Sequence, residues 1–316
     1  TGDRRVLEAL DARSASDFGE GRIMTTSSIA TKRPLSSPVR RPYSRRVKRA
    51  LASIACLVIG AIYSFPLVWV ASMSIREQRD ALGMNLIPTT FRPQNFVDAW
   101  VDLNLGQLYI NTFIVAGGTV ILSIGMSVLA AYGFVRWRSR VTDGVFTIIL
   151  LGMMIPPAAV IIPVFVLARS LGIYNTLTAI ILAETAFAIP LAVLLLRGYL
   201  ERVPAELIDA ARVDGASPFR AFRFVVLPFL VPAIATASLF ILLFAWNDLI
   251  LPLTLLPNPS GSTLVVGLAL TVGKYGQVNL AALAAAALLA VLPVLVIFIM
   301  SKRYYVQGLS AGALKG

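Results

Sequence analysis

Histidine is absent from the 316 residues, and cysteine occurs once, at Cys56. The first absence removes the commonest general base and transition-metal ligand, and the second excludes a disulfide within the chain. No G-x-x-x-x-G-K-S/T sequence occurs, so we expect neither an ATP site nor a metal or other cofactor on this chain. The apolar segments also lack the clustered carboxylates of a membrane-embedded catalytic site. The chain is therefore not expected to be an enzyme.

Charged residues are scarce, at 14% against 57% hydrophobic residues, and the mean hydropathy is +0.79. A helix needs about twenty apolar residues to cross a bilayer. Six such segments are present, over residues 50–73, 109–135, 144–169, 176–200, 227–252 and 278–300. Their length and their lack of alternation exclude the strands of an outer-membrane barrel. The sequence predicts an all-α membrane protein with six transmembrane helices.

The basic residues predict the orientation of these helices. Lys and Arg outnumber Asp and Glu by 28 to 16, and most of them lie near the two termini and in the connections after the second and fourth segments. By the positive-inside rule, both termini and the loop over residues 201–227 are predicted to be cytoplasmic. The basic residues do not alternate with aromatic residues along a groove, so we expect no nucleic-acid partner.

The chain is predicted to have three parts. Residues 1–49 are rich in Ser and Arg, show no sustained apolar period, and are expected to be a disordered cytoplasmic tail. Met24 offers a second start, which makes residues 1–23 a candidate extension. A transmembrane domain is predicted over residues 50–305, and a glycine-rich cytoplasmic tail over residues 306–316.

A polar segment separates the fourth and fifth apolar segments and reads PAELIDAARVDGASPFRAFRFVVLP. Pro204 suits the first turn of a helix, and the carboxylates of Glu206 and Asp209 favour its N-terminal end. Gly215 can end this helix in a left-handed turn, and Ser217 can then cap a second helix. The segment is thus predicted to form two short helices joined at a glycine.

The spacing of Asp209-Ala210-Ala211, Gly215, Val225 and Leu227-Pro228 resembles the EAA motif of permease subunits of ATP-binding-cassette (ABC) importers. It departs from the usual pattern in having Asp209 for Glu and Val225 for Ile. In that family, the motif lies on a coupling helix that docks on a cytoplasmic ATPase. The resemblance implies that this ATPase contacts Glu206, Asp209, Ala210, Ala211, Arg212, Asp214, Gly215 and Pro228.

Four further matches are similar to maltose-type carbohydrate importers, and they are Asn111-Thr112, Ala130 to Phe134, Phe187 to Pro190 and Trp246-Asn247-Asp248. The C-terminal sequence is similar to the tail of the maltose-importer subunit that reaches into the ATPase dimer interface. By this resemblance, the interface residues of the tail are Gly308, Leu309, Ser310, Gly312 and Lys315.

The resemblance also implies the partners of the chain. These are a homologous second permease subunit, an ATPase homodimer that carries ATP and Mg, an extracytoplasmic solute-binding protein, a sugar and the surrounding lipid. The assembly would lie in the cytoplasmic membrane of a prokaryote, with this multi-pass chain as half of the conduit. Residues 257–277 would face the binding protein. A polyol or glycerol-phosphate is the nearest alternative solute.

Two carboxylates interrupt the apolar segments, which marks them as candidates for the solute pathway. At 1.5 Å per residue, Glu184 lies about 12 Å inside the fourth segment, and Asp248 lies about 30 Å from the start of the fifth. Glu184 can line the pathway or bond a neighbouring helix, and Asn247 and Asp248 can line it or anchor the fifth helix. The candidate pathway residues are Asn111, Thr112, Glu184, Trp246, Asn247 and Asp248.

Small residues and prolines complete the prediction. Gly117, Gly118 and Gly125 would allow close helix contacts. Prolines lie within the apolar segments at Pro66, Pro156, Pro157, Pro163, Pro190, Pro232, Pro252 and Pro293; each removes a backbone donor and can kink its helix, although proline is also simply commoner in membrane helices. The rival from a different class is a stand-alone secondary transporter or channel, which would show intramembrane charge pairs or an inverted repeat. The sequence shows no convincing repeat.

Overall fold

The computed structural model describes residues 45–83, 85–258, 261–274 and 279–313. Within these ranges, the side chains of residues 45, 46, 205, 208, 212, 272–274 and 302–313 are not described. Most of the predicted N-terminal tail, together with Lys315, therefore lies outside the described residues.

The described part is all helical and contains no strand. Five helices are long and apolar enough to cross a membrane. The five correspond to α1 (Arg45–Ser74), α4 (Leu105–Arg136), α7 (Leu177–Leu200), α10 (Leu227–Asn247) and α13 (Leu280–Ala313). The shorter helices are α2 (Gln78–Ala81), α3 (Asn95–Asp102), α5 (Arg140–Leu151), α6 (Ile161–Ser170), α8 (Ala205–Val213), α9 (Pro218–Ala221), α11 (Ile250–Leu255) and α12 (Leu264–Lys274). The predicted all-α membrane fold is confirmed.

The third predicted span is not one straight helix. Two 3-10 turns, Gly152–Met154 and Pro157–Val160, separate α5 from α6, and the two halves are bent by 94°. Proline removes a backbone donor and holds the preceding residue in an extended conformation. Ile155 and Pro156 are both extended, with ψ of 112° and 136°. Up to six spans are present if this bent pair counts as one.

The fifth predicted span begins earlier than expected, because α9 continues into α10 through a π turn at Phe222–Val226. One apolar helical run therefore extends over Pro218–Asn247. The second helix of the polar segment is thus the first turn of the fifth span.

The chain divides into two compact units, Thr1–Val58 and Ile59–Gly316. The first unit, where described, is the first half of α1. In the second unit, α4 packs along α7, and α10 packs on both helices. Buried apolar residues fill this three-helix contact, among them Val128, Leu196 and Leu230.

Only one of the three predicted close-contact glycines of α4 meets another helix within the chain. A Cβ on Gly118 would lie 2.9 Å from Cδ1 and 3.2 Å from Cγ2 of Ile181 on α7. A Cβ on Gly117 or Gly125 would meet nothing within 4 Å. These two glycines face away from the neighbouring helices, so their prediction was wrong for contacts inside this chain.

Candidate functional site

The first short helix of the polar segment forms as the sequence predicts. The backbone N–H of Leu207 donates to the carbonyl of Pro204 at 3.2 Å, and α8 begins at Ala205. Glu206 lies in the first turn, where its carboxylate opposes the positive end of the helix dipole. The helix ends at Val213, two residues before Gly215.

Gly215 produces the turn between the two helices. Its φ is +80°, and Ala216 N–H donates back to the Ala211 carbonyl at 2.9 Å. The Ser217 hydroxyl then accepts from Arg220 N–H at 3.3 Å and caps α9. Both local predictions are confirmed. Because the turn returns the chain beside α8, α8 packs against α9 and the π turn.

The surface of this helix pair is accessible. Glu206, Asp209, Ala210, Asp214, Gly215 and Pro228 are exposed, and Ala211 is half-buried. The backbone of Arg212 lies in α8, and its side chain is outside the described residues. Large apolar side chains stand beside the small alanines, since Val213, Phe219 and Phe224 are 89%, 70% and 69% exposed. We call residues 205–224 the α8–α9 surface.

A charged cluster lies at the end of α7, immediately before α8. Arg197 Nη2 donates to Asp143 Oδ1 of α5 at 2.9 Å, and Arg197 Nε donates to Glu201 Oε1 at 3.1 Å. Arg138 Nη2 contacts the same Glu201 oxygen at 3.3 Å. The Arg197 guanidinium carbon also lies 4.0 Å from the ring centroid of Phe146. The i,i+4 spacing of Arg197 and Glu201 is visible in the sequence, whereas the bond to Asp143, 54 residues away, is not.

Glu184 is fully buried between α4 and α7. Its Oε2 accepts a hydrogen bond from the Thr119 hydroxyl at 2.9 Å, while Oε1 has no protein partner in the described part of the chain. The helix-to-helix hydrogen bond weighed in the sequence analysis is therefore present. Its place in a solute pathway stays a prediction.

Asn111 and Thr112 hold the loop that precedes α12. The Asn111 amide donates to the carbonyls of Gly261 and Ser262 at 2.8 and 3.0 Å. The Thr112 hydroxyl accepts from the N–H of Leu264, the first residue of α12, at 2.8 Å. Both side chains are buried, so in this conformation they position the loop and do not face open solvent.

Trp246, Asn247 and Asp248 have three different surroundings. Trp246 is buried against the rings of Tyr109 and Phe113, with centroids 6.4 and 5.1 Å away. Asn247 is exposed and donates to the Leu243 carbonyl at 2.8 Å. Asp248 Oδ1 accepts from Ile250 N–H at 3.0 Å at the start of α11. The three neighbours in sequence do not converge on one point.

An apolar cavity of about 210 Å³ lies at the bend between α5 and α6. It is lined by residues of the bend, α7 and α10, including Ile155, Pro157, Phe187, Leu191, Phe240 and Phe244. Three aromatic rings thus surround the only break in the apolar spans of the described part. We call this the bend cavity.

The predicted tail continues the last helix, because α13 extends without a break to Ala313. The backbones of Gly308, Leu309, Ser310 and Gly312 are helical, and their side chains are outside the described residues. Lys315 lies outside the described residues altogether.

The segment between α1 and α4 contains polar contacts that sequence reasoning missed. The Asn95 amide donates to the carbonyls of Ser74 and Arg76 at 2.9 and 2.7 Å. A hydrogen bond from the Thr89 side chain, with further bonds from the Thr89 and Thr90 backbones, lowers the pKa of Asp80. These bonds join residues 9 to 21 positions apart, so no local sequence motif predicts them.

Known proteins share this fold and sequence. Residues 123–310 match the family described as binding-protein-dependent transport system inner membrane component, which is more than half of the chain. A chain of a bacterial ABC transporter involved in the import of the acidic polysaccharide alginate shares the fold. It has a TM-score of 0.71 at 23% identity and covers 83% of this chain and 99% of that chain.

Two relatives are permease proteins. The melibiose/raffinose/stachyose import permease protein MelC of Bacillus subtilis strain 168 is 33% identical over 277 residues, which is 87% of this chain and 99% of MelC. The trehalose transport system permease protein SugB of Mycobacterium tuberculosis strain CDC 1551 / Oshkosh is 30% identical over 266 residues, 84% of this chain and 97% of SugB. The chain therefore belongs to the family of binding-protein-dependent inner membrane transport components, the permease subunits of ABC importers.

Proposed function

We propose that this chain is one of two homologous permease subunits of an importer for a sugar or oligosaccharide. The observation that carries the proposal is the exposed α8–α9 surface on a chain of this family. Its small alanines, adjacent carboxylates and exposed aromatic rings form an accessible surface with the chemistry to bind a protein cleft. The names of MelC and SugB, both described as sugar permeases, support a sugar as the solute.

The α8–α9 surface docks on a cytoplasmic ATPase homodimer, which carries ATP and Mg. Ala210 and Ala211 let the backbone approach the ATPase closely, while Asp209 and Glu206 offer anions to basic groups of the cleft. Closure of the ATPase dimer moves α8, and the turn at Gly215 transfers this displacement to α9. Because α9 is continuous with α10, the displacement enters a membrane span directly.

The solute passes between the two permease subunits, close to the bend cavity. Sugar rings present apolar faces that stack on aromatic side chains, and Phe187, Phe240 and Phe244 supply such rings. Glu184 and Asp248 each keep one buried carboxylate oxygen without a protein partner in the described part, and such oxygens can accept hydroxyl hydrogens if the helices separate. Trp246 and Asn247 follow Phe244 at the end of α10, and Asn111 and Thr112 near the start of α4 complete the proposed path.

A solute-binding protein delivers the sugar to the side of the membrane opposite α8. Residues 257–277 contact it, and their described part contains α12. The buried Asn111 and Thr112 side chains hold the start of α12 against α4, which gives the binding protein a fixed surface. In this proposal, the multi-pass chain lies in the cytoplasmic membrane of a prokaryote.

The proposal is tested by affinity capture of the tagged chain from its native membrane in mild detergent, followed by mass spectrometry. We expect a second permease, an ATPase and a solute-binding protein. ATP hydrolysis by the reconstituted complex, assayed with its binding protein, should rise with a sugar from a panel that includes polyols and glycerol-phosphate. If only a polyol or glycerol-phosphate stimulates hydrolysis, that compound and not a sugar is the solute. Capture of the chain without an ATPase would favour a secondary transporter.

Substitutions at Asp209 test the proposed ATPase contact at a single residue. Asp209→Lys reverses the charge on the α8–α9 surface and should reduce the captured ATPase at least about tenfold, since like charges across an interface are repulsive. Asp209→Glu keeps the charge and should capture as much ATPase as the natural chain. Equal capture by both variants would exclude a coupling role for this carboxylate.

A further inference from the structure

We propose that Arg197 is the positioning residue that carries displacement of α8 into the bent third span. This inference rests on the proposed function and adds a second path by which a displacement of α8 reaches the membrane spans. Arg197 lies in the last turn of α7, and α8 begins eight residues later at Ala205. A displacement of α8 that reaches α7 therefore passes close to this side chain, in addition to the route through Gly215.

One guanidinium joins the end of α7 to the base of α5. Nε bonds Glu201, the residue that follows α7, and Nη2 bonds Asp143 in the first turn of α5. The same group lies over the ring of Phe146, one turn further along α5. Phe146 in turn packs edge-on against Phe134 of α4, with ring centroids 5.7 Å apart.

Burial separates this contact from an ordinary surface ion pair. The Arg197 side chain is only 12% exposed, whereas Arg138, which bonds the same Glu201 oxygen, is 67% exposed; the carboxylates of Asp143 and Glu201 are 55% and 37% exposed, so the burial lies on the arginine side. Solvent screens exposed pairs, and many contribute almost nothing. A guanidinium that is largely removed from water, and also covers an aromatic ring, holds its partners more tightly.

The connection leads to the bend cavity. From Asp143, where Arg197 bonds α5, to Gly152 at its other end, the helix rises about 14 Å. Gly152, Ile155 and Pro157 line the bend cavity. When Arg197 holds the base of α5 to the end of α7, a displacement of α8 carries α5 with it and changes the wall of the bend cavity.

Lysine cannot replace this side chain. The planar guanidinium donates in two directions from fixed positions and presents a flat face to the Phe146 ring. A lysine ammonium keeps the charge and has three donors, but it lacks the flat face that covers Phe146 and the rigid fork that reaches both carboxylates from fixed positions. The proposal therefore predicts that both Arg197→Gln and Arg197→Lys weaken the link, the first more than the second.

The first arm of the test measures transport. The captured complex, with its ATPase and binding protein, is reconstituted in liposomes, and solute uptake is divided by ATP hydrolysed. Arg197→Gln should lower this ratio by about tenfold, within the range of ordinary coupling energies, while assembly stays unchanged. Asp143→Asn, which removes only the α5 bond, should lower it in the same direction. Arg138→Gln is the matched control and should leave it unchanged.

The second arm measures the link itself and needs no ATPase. Spin labels replace two exposed side chains, Ile148 on α5 and Val213 at the end of α8, in a Cys56→Ser background. The natural contact should give one narrow distance distribution, and Arg197→Gln should broaden it. A narrow distribution in Arg197→Gln, or equal broadening in Arg138→Gln, would overturn the proposal. Absence of ligand-stimulated hydrolysis in the unsubstituted complex would instead refute the proposed function.

Discussion

The backbone conformation of one residue sets the direction in which the chain leaves α8. Gly215 has φ of +80°, which a β-branched side chain adopts only with strain. We predict that Gly215→Val costs about 1 to 3 kcal/mol at this turn and displaces α8 from α9. Uptake by the assembled complex should fall, while the amount of chain in the membrane stays the same.

Gly198→Val is the control for that substitution. A Cβ at Gly198 meets nothing within 4 Å, and the residue lies inside α7 with ordinary helical geometry. Its uptake should remain close to that of the natural chain. An equal loss in both variants would show that the added side chain, and not the left-handed turn, is responsible.

The Thr119 hydroxyl supports Glu184 across the α4–α7 contact. Thr119→Val keeps the side-chain shape and leaves the buried carboxyl without its one donor in the described part, which should cost about 1 to 3 kcal/mol. Thermal unfolding in detergent measures the loss. Thr236→Val on α10, which removes only a bond to its own helix, should cost less. A smaller effect at Thr119 than at Thr236 would contradict this role.

Local conformation was predictable at this scale, and partners were not. Gly215 and Ser217 act within four residues of themselves, so residue type and spacing were enough to predict the turn and the cap. Thr119 and Glu184 are 65 residues apart, and Arg197 and Asp143 are 54 apart. Such pairs form only when each helix is rotated about its axis so that the two side chains face each other. An apolar sequence does not determine this rotation.

At the scale of elements, one glycine decides how closely α4 and α7 pack. Gly118→Ala would place Cβ 2.9 Å from Ile181 Cδ1 and 3.2 Å from its branching methyl group, so the side chain cannot simply rotate away. Overpacking of this kind should cost about 1 to 3 kcal/mol and lower the unfolding temperature in detergent. Gly117→Ala, where Cβ meets nothing within 4 Å, should not destabilise the chain.

The third span shows where a prediction from apolar length stops. Its hydropathy was sufficient to predict a crossing, but Pro156 and Pro157 were two of eight prolines within the spans, and the sequence did not single them out as the site of a bend. The 94° angle between α5 and α6 was not predictable, because it depends on which other helices pack against each of them. Phe187 on α7 and Phe240 on α10 line the cavity inside the bend, and both are far from it in sequence.

The bent pair also decides the orientation of the whole molecule. If α5 and α6 make one crossing, three crossings separate the loop at Leu82 from α8, and the two lie on opposite sides of the membrane. In a Cys56→Ser background, a membrane-impermeant thiol reagent applied outside intact cells should label Leu82→Cys and spare Val213→Cys. Labelling of both residues would show that the pair enters and leaves on the same side.

The overall architecture was the most predictable level. Five of the six predicted spans are single helices, because about twenty consecutive apolar residues leave a buried backbone no other conformation. The third differs through its prolines, and the fifth begins earlier because α9 joins α10 in one run. The two short helices of the α8–α9 surface were also predictable, because their caps and turn depend on residues close together in sequence, as the apolar spans do.

The bend between α5 and α6 also affects hydration. A straight helix keeps its amide groups away from water, whereas two 3-10 turns and two adjacent prolines leave fewer of them paired along the helix axis. Backbone groups released within an apolar span must find protein or water. We therefore expect deuterium from solvent to reach residues 152–160 faster than the middle of α7, so that the chain admits water at a point that its hydropathy alone would mark as dry.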